Sequence, residues 1–256
     1  MLLIAAALEE ELETAKCLCH DLEKIHGDKT KLWQGVLHRE NVVLLRTGIG
    51  PKRSAERLEA ALQLAKPSHI LVIGYAGALD PELKVGNLVE AGKAIALKLD
   101  DDRPGWEHAR IDGEFELMPC ESVVQVAAAE GLRAAKGDVL TSAHVLGNPS
   151  HKRLLYDRFH AAMVDMETAA LARVALSEKI PLCCIRVVSD EAEDTFLAPF
   201  SYDPSAGIPA RAMQLMHTGM AETYREWKMN SAAAKESLTR FLSRYLIRDS
   251  RFEIRD

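Results

Sequence analysis

The stretch Val164–Asp194, VDMETAALARVALSEKIPLCCIRVVSDEAED, constrains this chain more than any other. It contains an apolar run, Leu182 to Val188, with Pro181 before it and Ser189 and Asp190 after it. A run this short, β-branched at its end and bounded by Pro and Asp, reads as a buried strand. Arg186 sits inside it. A guanidinium within a buried strand is costly unless something pairs with it. Asp165 and Glu167 open an Ala- and Leu-rich helical pattern just upstream, and Asp190 falls at the strand's carboxyl end. Ligands of open α/β sheets bind at the carboxyl ends of strands. An Arg, an Asp and a Glu are therefore candidates to converge on one pocket.

The rest of the chain supplies elements that alternate in the same way. Leu2 to Leu8 is continuously apolar, as a central parallel strand should be. Glu9, Glu10 and Glu11 end it and start a helix expected to run through Leu22. Two of these acids read as solvated helix-start charges, and the third as a candidate to face a pocket. Lys31–Val36 and Asn41–Arg46 read as a hairpin turning at His38–Glu40. The second strand enters TGIGP, Thr47 to Pro51, and then a helix over Lys52–Leu64. Glycines at such a junction let the backbone approach a ligand or simply turn. Ile70–Ile73 is a further strand, followed by a second glycine-rich turn, GYAGAL. Asn87–Ala91 and Ala94–Leu99 extend the sheet, Asp100–Gly113 reads as a surface loop, and Asp138–Ser142 is a short strand. Ser122–Leu132 and the basic segment Ser150–Phe159 are helical. Phe196–Ala210 reads as an irregular excursion, Arg211–Trp227 and Ser231–Ile247 as two helices, and Arg248–Asp256 as a charged tail. In the last helix Ala234, Leu238, Phe241, Leu242 and Tyr245 share one face. The expectation is a single α/β domain over 1–256, a mixed central sheet surrounded by helices, with a helical excursion at 196–230.

Composition narrows the function. The net charge of −6 argues against nonspecific nucleic-acid binding. Cys17, Cys19, Cys120, Cys183 and Cys184 show no disulfide or zinc spacing and fit a reducing, cytoplasmic setting. The N-terminal apolar run lacks a basic flank and is too short for a signal peptide or a membrane span.

TGIGP, GYAGALDPELKVGNLV, VDMETAALARV, IRVVSDEAED and the N-terminal ALEEEL, in this order across 1–194, resemble the nucleoside phosphorylase/nucleosidase superfamily. Within it they are most similar to the methylthioadenosine/S-adenosylhomocysteine nucleosidases. The resemblance implies a homodimeric enzyme without metal or organic cofactor, acting on a small-molecule nucleoside. It implies that Glu11 holds and activates the attacking water, with Arg186 near that water. Glu167 would bind the ribose 2′- and 3′-hydroxyls over Met166. Asp190 would protonate purine N7 with Ser189 assisting, His144 and Val145 would hold the base, and Ile49 would line the ribose or 5′ pocket beside the turn that carries Gly77. Arg186 is expected to point at Glu11 or the water, because pairing with Asp190 would hold that acid ionised.

Phosphorolysis is the alternative to hydrolysis. In hexameric purine phosphorylases an Arg and a Ser at the glycine turn bind phosphate; Ile73 and Tyr75 stand there instead, and ALEEEL replaces the basic N-terminal phosphate loop. Hydrolysis is the expected reaction. Tyr75, Asp165, His144, the segment Lys93–Gly113 and the insertion Phe196–Asn230 depart from the nucleosidase pattern around the 5′ end. A nucleosidase or phosphorylase for a bulky, hopanoid-type adenosine conjugate is therefore a further reading, and a noncatalytic nucleoside-binding module another.

Overall fold

A computed structural model describes residues 1–27, 30–100, 105–195 and 221–248. Its centre is a mixed sheet. Strand β1 (Leu2–Ala6) lies between β4 (Glu40–Arg46) and β5 (His69–Ala78), parallel to both, with Ile4 opposite Leu44 and Leu71. β3 (Thr30–Leu37) and β2 (His20–Gly27) extend this side as antiparallel edge strands. On the other side the sheet closes on itself. β5 pairs with β10 (Leu182–Asp190), β10 with β6 (Leu88–Lys98), β6 with β8 (Ala134–Thr141), β8 with β9 (Met163–Asp165), and β9 returns to β5. Closure of this kind removes free edges. β7 (Arg110–Glu116) adds an antiparallel ribbon to β6.

Alternation along β1 assigns its two faces. Leu3 and Ala5 pack with Leu58 and Ala61 of α2 (Pro51–Leu64) and with Leu171 and Val174 of α5 (Thr168–Ser177). Leu2, Ile4 and Ala6 pack with Leu12 and Ala15 of α1 (Glu9–Leu18). They also meet the last described helix, α6, which spans Ala221–Arg248. Its contact face is Ala234, Leu238, Phe241, Leu242 and Tyr245, all buried, as their spacing predicts. A smaller cluster gathers Leu79, Leu140, Leu146 and Leu155 beside Trp106, under α4 (Pro149–Phe159). α3 (Val123–Ala129) contributes Val123 and Val126 to the α1–α6 side.

Several sequence expectations need correction. The first helix ends at Leu18, where Cys19 is already extended, and residues read as its last turn belong to β2. Arg110–Gly113 is strand, with a single 3-10 turn at Trp106–His108 before it. Asn230 and Ser231 do not interrupt α6, because neither is a helix breaker of the Pro or Gly kind. The excursion at 196–220 and the tail at 249–256 lie outside the described residues. Among the described residues no helix is long and apolar enough to cross a membrane.

The carboxyl ends of the parallel strands β1, β4, β5 and β10 fall on one side of the sheet. Every group considered below sits at or near those ends.

Candidate active site

The turn out of β1 separates the three glutamates as expected. Glu9 and Glu10 are exposed and Glu11 is buried. Glu11 reaches back along the first turn of α1, where its Oε2 accepts the Leu8 N–H at 2.6 Å. Its Oε1 accepts the Tyr75 N–H at 2.9 Å, which ties the helix start to the glycine turn of β5. Burial pushes the Glu11 carboxyl up to about 6; the Arg186 charge and the two N–H donors oppose the rise without cancelling it.

Gly74, the residue before Tyr75, lies against Glu11. Its φ of +144° is one that side chains rarely adopt, and a Cβ there would sit 2.5 Å from Glu11 Oε1 and 2.6 Å from Arg186 Nη1. The backbone gap at Gly74 is what lets a carboxylate and a guanidinium approach one another across the strand. Gly74→Ala is therefore expected to lower kcat/KM at least about tenfold and to lower the melting temperature, since strained glycine positions tolerate no Cβ. Unchanged turnover of the variant would contradict this packing.

Arg186 is the hub. It is fully buried and stands opposite Gly74 in the β5–β10 ladder. Its Nη2 ion-pairs with Asp165 Oδ2 and lies 3.7 Å from Glu167 Oε2. Nη2 also donates to Thr168 Oγ1 at 2.8 Å, and Nη1 to the Ile73 carbonyl at 3.4 Å. Nε is a buried donor without an acceptor among the described residues. Burial would weaken its hold on its proton, but Asp165, Glu167 and Glu11 outweigh that and hold the guanidinium charged. The expectation that Arg186 points at Glu11 or the water left out Asp165. The principal partner of Arg186 is Asp165, and Glu11 is a neighbour across Gly74.

Asp165 is itself held by Thr141 Oγ1 at 2.7 Å and by the Thr168 N–H at 3.1 Å, which fixes the β9-to-α5 turn. That turn presents Glu167, whose Oε1 accepts the Gly50 N–H at 2.9 Å from the TGIGP turn. Burial, followed by the Asp165 charge, pushes Glu167 up to about 8, with Arg186 and the Gly50 N–H opposing. Two turns distant in sequence are thereby joined around one carboxylate.

A second group lies further along β10. Asp190 pairs with Gly77 in the ladder, and a Cβ on Gly77 would sit 2.7 Å from Asp190 Oδ2. Ser189 Oγ donates to Asp190 Oδ1 at 2.8 Å. Lys152 of α4 donates from Nζ to Asp190 Oδ2 at 2.6 Å and to the Glu191 carbonyl at 2.5 Å. The Lys152 side chain is 0% exposed and that of Asp190 is 22% exposed. Four residues of strand separate Arg186 from Asp190, roughly 13 Å at 3.3 Å per residue. The Arg186–Glu167 and Asp190 groups thus stand apart along the carboxyl-terminal half of β10.

A family model described as the phosphorylase superfamily matches residues 2–246. The chain belongs to the phosphorylase superfamily. Among curated superfamily members, a 5′-methylthioadenosine/S-adenosylhomocysteine nucleosidase of Staphylococcus aureus is 28% identical over 232 residues, covering 84% of this chain and all of that protein. Two solved structures share the superfamily fold. Futalosine hydrolase of Helicobacter pylori aligns with a TM-score of 0.73 at 19% identity, over 97% of both chains. The methylthioadenosine/S-adenosylhomocysteine nucleosidase of Neisseria meningitidis, solved with methylthio-immucillin-A, aligns with a TM-score of 0.72 at 17% identity. That alignment covers 96% of this chain and 98% of the other.

The remaining residues that the superfamily resemblance singled out are less tightly drawn together. Met166 is half-buried in the turn between Asp165 and Glu167, and Ile49 is half-buried in the TGIGP turn. His144 and Val145 lie on the loop after β8, both exposed, Val145 by 41%. The hydrogen bond at His144 runs from its backbone N–H to Ser142 Oγ. The sequence singles out neither Lys152, which reads as part of a basic helix face, nor Asp165 as the partner of Arg186. The second had a signal, since a buried Arg requires an anion and Asp165 is one of the two acids just before α5. The first had none, because Lys152 stands among surface-type residues in SHKRLLYDR.

Proposed function

We propose that this chain hydrolyses the N-glycosidic bond of a 5′-substituted adenosine of the methylthioadenosine or S-adenosylhomocysteine type, releasing adenine. The observation that carries the reading is that Glu11 and Arg186 meet at Gly74 while Asp165 and Glu167 neutralise that same Arg. A phosphorylase needs free positive charge where phosphate binds. Here the buried guanidinium is committed to two carboxylates, and a third carboxylate, Glu11, faces the same space. Ile73 and Tyr75, at the positions of phosphate-binding residues, pack into the apolar layer with α1 and α6. Water is the nucleophile this environment favours.

In this reading the residues divide the reaction between them. Cleavage of the C1′–N9 bond leaves positive charge on the sugar and negative charge on the base. Glu167 accepts hydrogen bonds from the 2′- and 3′-hydroxyls, Met166 lies under the sugar, and Ile49 borders it. Glu11 orients water and takes its proton, and its negative charge favours an oxocarbenium-like sugar. Arg186 positions Glu167 by holding Asp165 in the β9–α5 turn and offers its Nε–H beside the water. Asp190, with Ser189, delivers a proton to N7, and Gly77 leaves room for it. His144 and Val145 border the base. The nucleosidase names of the curated and structural relatives support this assignment, while the futalosine hydrolase neighbour widens the range of 5′ groups to test.

The pH dependence follows from Glu11. It works as a base only when ionised, and its carboxyl is pushed up to about 6. kcat/KM is expected to rise with pH through about 6 and to fall below it, and added phosphate should leave the rate unchanged. A pH profile flat from 5 to 8, or a rate that requires phosphate, would contradict the assignment.

The partners of this reading are a nucleoside and a second copy of the chain. Sedimentation should give twice the 28.3 kDa chain mass for a homodimer. The net charge supports the absence of a nucleic-acid partner.

A further inference from the structure

Lys152 stands apart from everything the assignment above uses. A lysine side chain with no exposed surface is rare, and burying an ammonium is costly unless an anion is held against it. Here the anion is the one carboxylate that is asked to donate a proton to the base. The contact is a direct hydrogen bond of 2.6 Å to Oδ2, and the Glu191 carbonyl at 2.5 Å fixes Nζ from a second direction. Ser189 occupies Oδ1. Both carboxylate oxygens are thus fixed by hydrogen-bond donors, and an aspartate bound to an ammonium is an acceptor rather than an acid. Either Asp190 does not act as the acid, or its proton is stored elsewhere in the site.

We propose that Lys152 holds the proton that Asp190 delivers to the purine, so that the donor is the Lys152–Asp190 pair rather than Asp190 alone. The inference rests on the reading of Asp190 given above. Asp190 is the exposed end of the pair and Lys152 the dry end. A base seated over Asp190 removes its remaining contact with water. Desolvation disfavours the charged forms of both partners, and the neutral pair, carboxylic acid and amine, is reached by one proton moving along the existing hydrogen bond. The acid then gives that proton to N7 as the C1′–N9 electron pair collapses onto the base. Water adds to C1′ and its proton passes to Glu11. The base leaves with the proton from Lys152, and Lys152 recovers one from solvent when the site opens, in exchange for the one Glu11 releases. The sum is nucleoside plus water to base plus free sugar.

Lysine and arginine separate this role from a purely electrostatic one, because arginine keeps the charge and the hydrogen bond but does not give up its proton in proteins. With methylthioadenosine as substrate, Lys152→Met and Lys152→Arg are each expected to lower kcat at least about 100-fold, the scale of general acid catalysis. KM should stay within a few-fold, and melting curves should show folded protein. The Lys152→Met/Asp190→Asn double variant should be no slower than Asp190→Asn, since both act through one transfer. Near-full kcat in Lys152→Arg, or losses that multiply in the double variant, would overturn the inference and leave the reading of Asp190 intact. Asp190→Asn turning over at the unmodified rate would overturn both. Infrared difference spectra of the unmodified protein provide a test without substitution at Lys152. Adenine binding should convert a carboxylate band to a carboxylic-acid band, a change that Asp190→Asn lacks; no conversion would contradict the proton store.

Discussion

Glu11→Gln is expected to lower kcat by about 10²–10⁴-fold, the usual worth of a positioned general base, with KM changed only a few-fold. The amide is close to isosteric and can keep one of the two backbone hydrogen bonds that Glu11 accepts from Leu8 and Tyr75, so the variant should fold. It cannot take a proton from water. The acid limb expected near 6 should vanish with it, because in the proposed mechanism that limb belongs to Glu11, whose carboxyl burial pushes up to about 6. Steady-state kinetics on the variant across pH 5 to 8 checks both effects together. A variant that keeps its acid limb would move the base to another residue. Glu167 is the next carboxyl in the same pocket.

Arg186→Leu is expected to be the most destabilising single change at the site. Leucine fills much of the volume but leaves Asp165 and Glu167 buried without their shared cation, and Asp165 is held in place by Thr141 and Thr168. Breaking a buried ion pair from one side costs roughly 3–5 kcal/mol. For a chain of this size each kcal/mol shifts the melting temperature by about 2–4 °C. A fall of roughly 6–20 °C, or loss of soluble protein, is the expected result. Pairing the change with Asp165→Asn should recover part of the loss, because the stranded charge is then removed. A melting temperature within about 2 °C of the unmodified protein would show that the ion pair is not the anchor of the β9–α5 turn.

The parts of the fold that could be read from sequence are those whose residues are buried in a regular pattern. β1, the β3–β4 hairpin, the strand of β10 and the apolar face of α6 all carry continuous or periodic apolar residues, and each stands where the pattern puts it. Two of the strands without a clear sequence signal, β2 and β7, lie at edges. β2 reads HDLEKIHG, and its described side chains are mostly exposed with no apolar alternation. β7 reads RIDGEFE, where Ile111 and Phe115 alternate with charged residues but Gly113 breaks the apolar set and most side chains are exposed. β9 is only three residues long and is defined by its partners β5 and β8 rather than by its own composition. The same contrast holds at the site. Glu11, Glu167, Arg186 and Asp190 are at motif positions, and the first three meet around Gly74 and Gly50. The partners that complete them, Asp165 for Arg186 and Lys152 for Asp190, are decided by tertiary packing. Lys152 comes from a helix 38 positions away in the chain, and nothing in its local sequence distinguishes it from a solvated lysine.

The central claim is hydrolysis of an adenine nucleoside. The measurement that tests it most directly is incubation of the purified protein with methylthioadenosine, S-adenosylhomocysteine, adenosine and inosine, with and without phosphate, followed by chromatography of base and sugar. Free adenine and free sugar in equal amounts, independent of phosphate and fastest for a 5′-substituted adenosine, is the predicted result. Sugar 1-phosphate formed only when phosphate is present would contradict it.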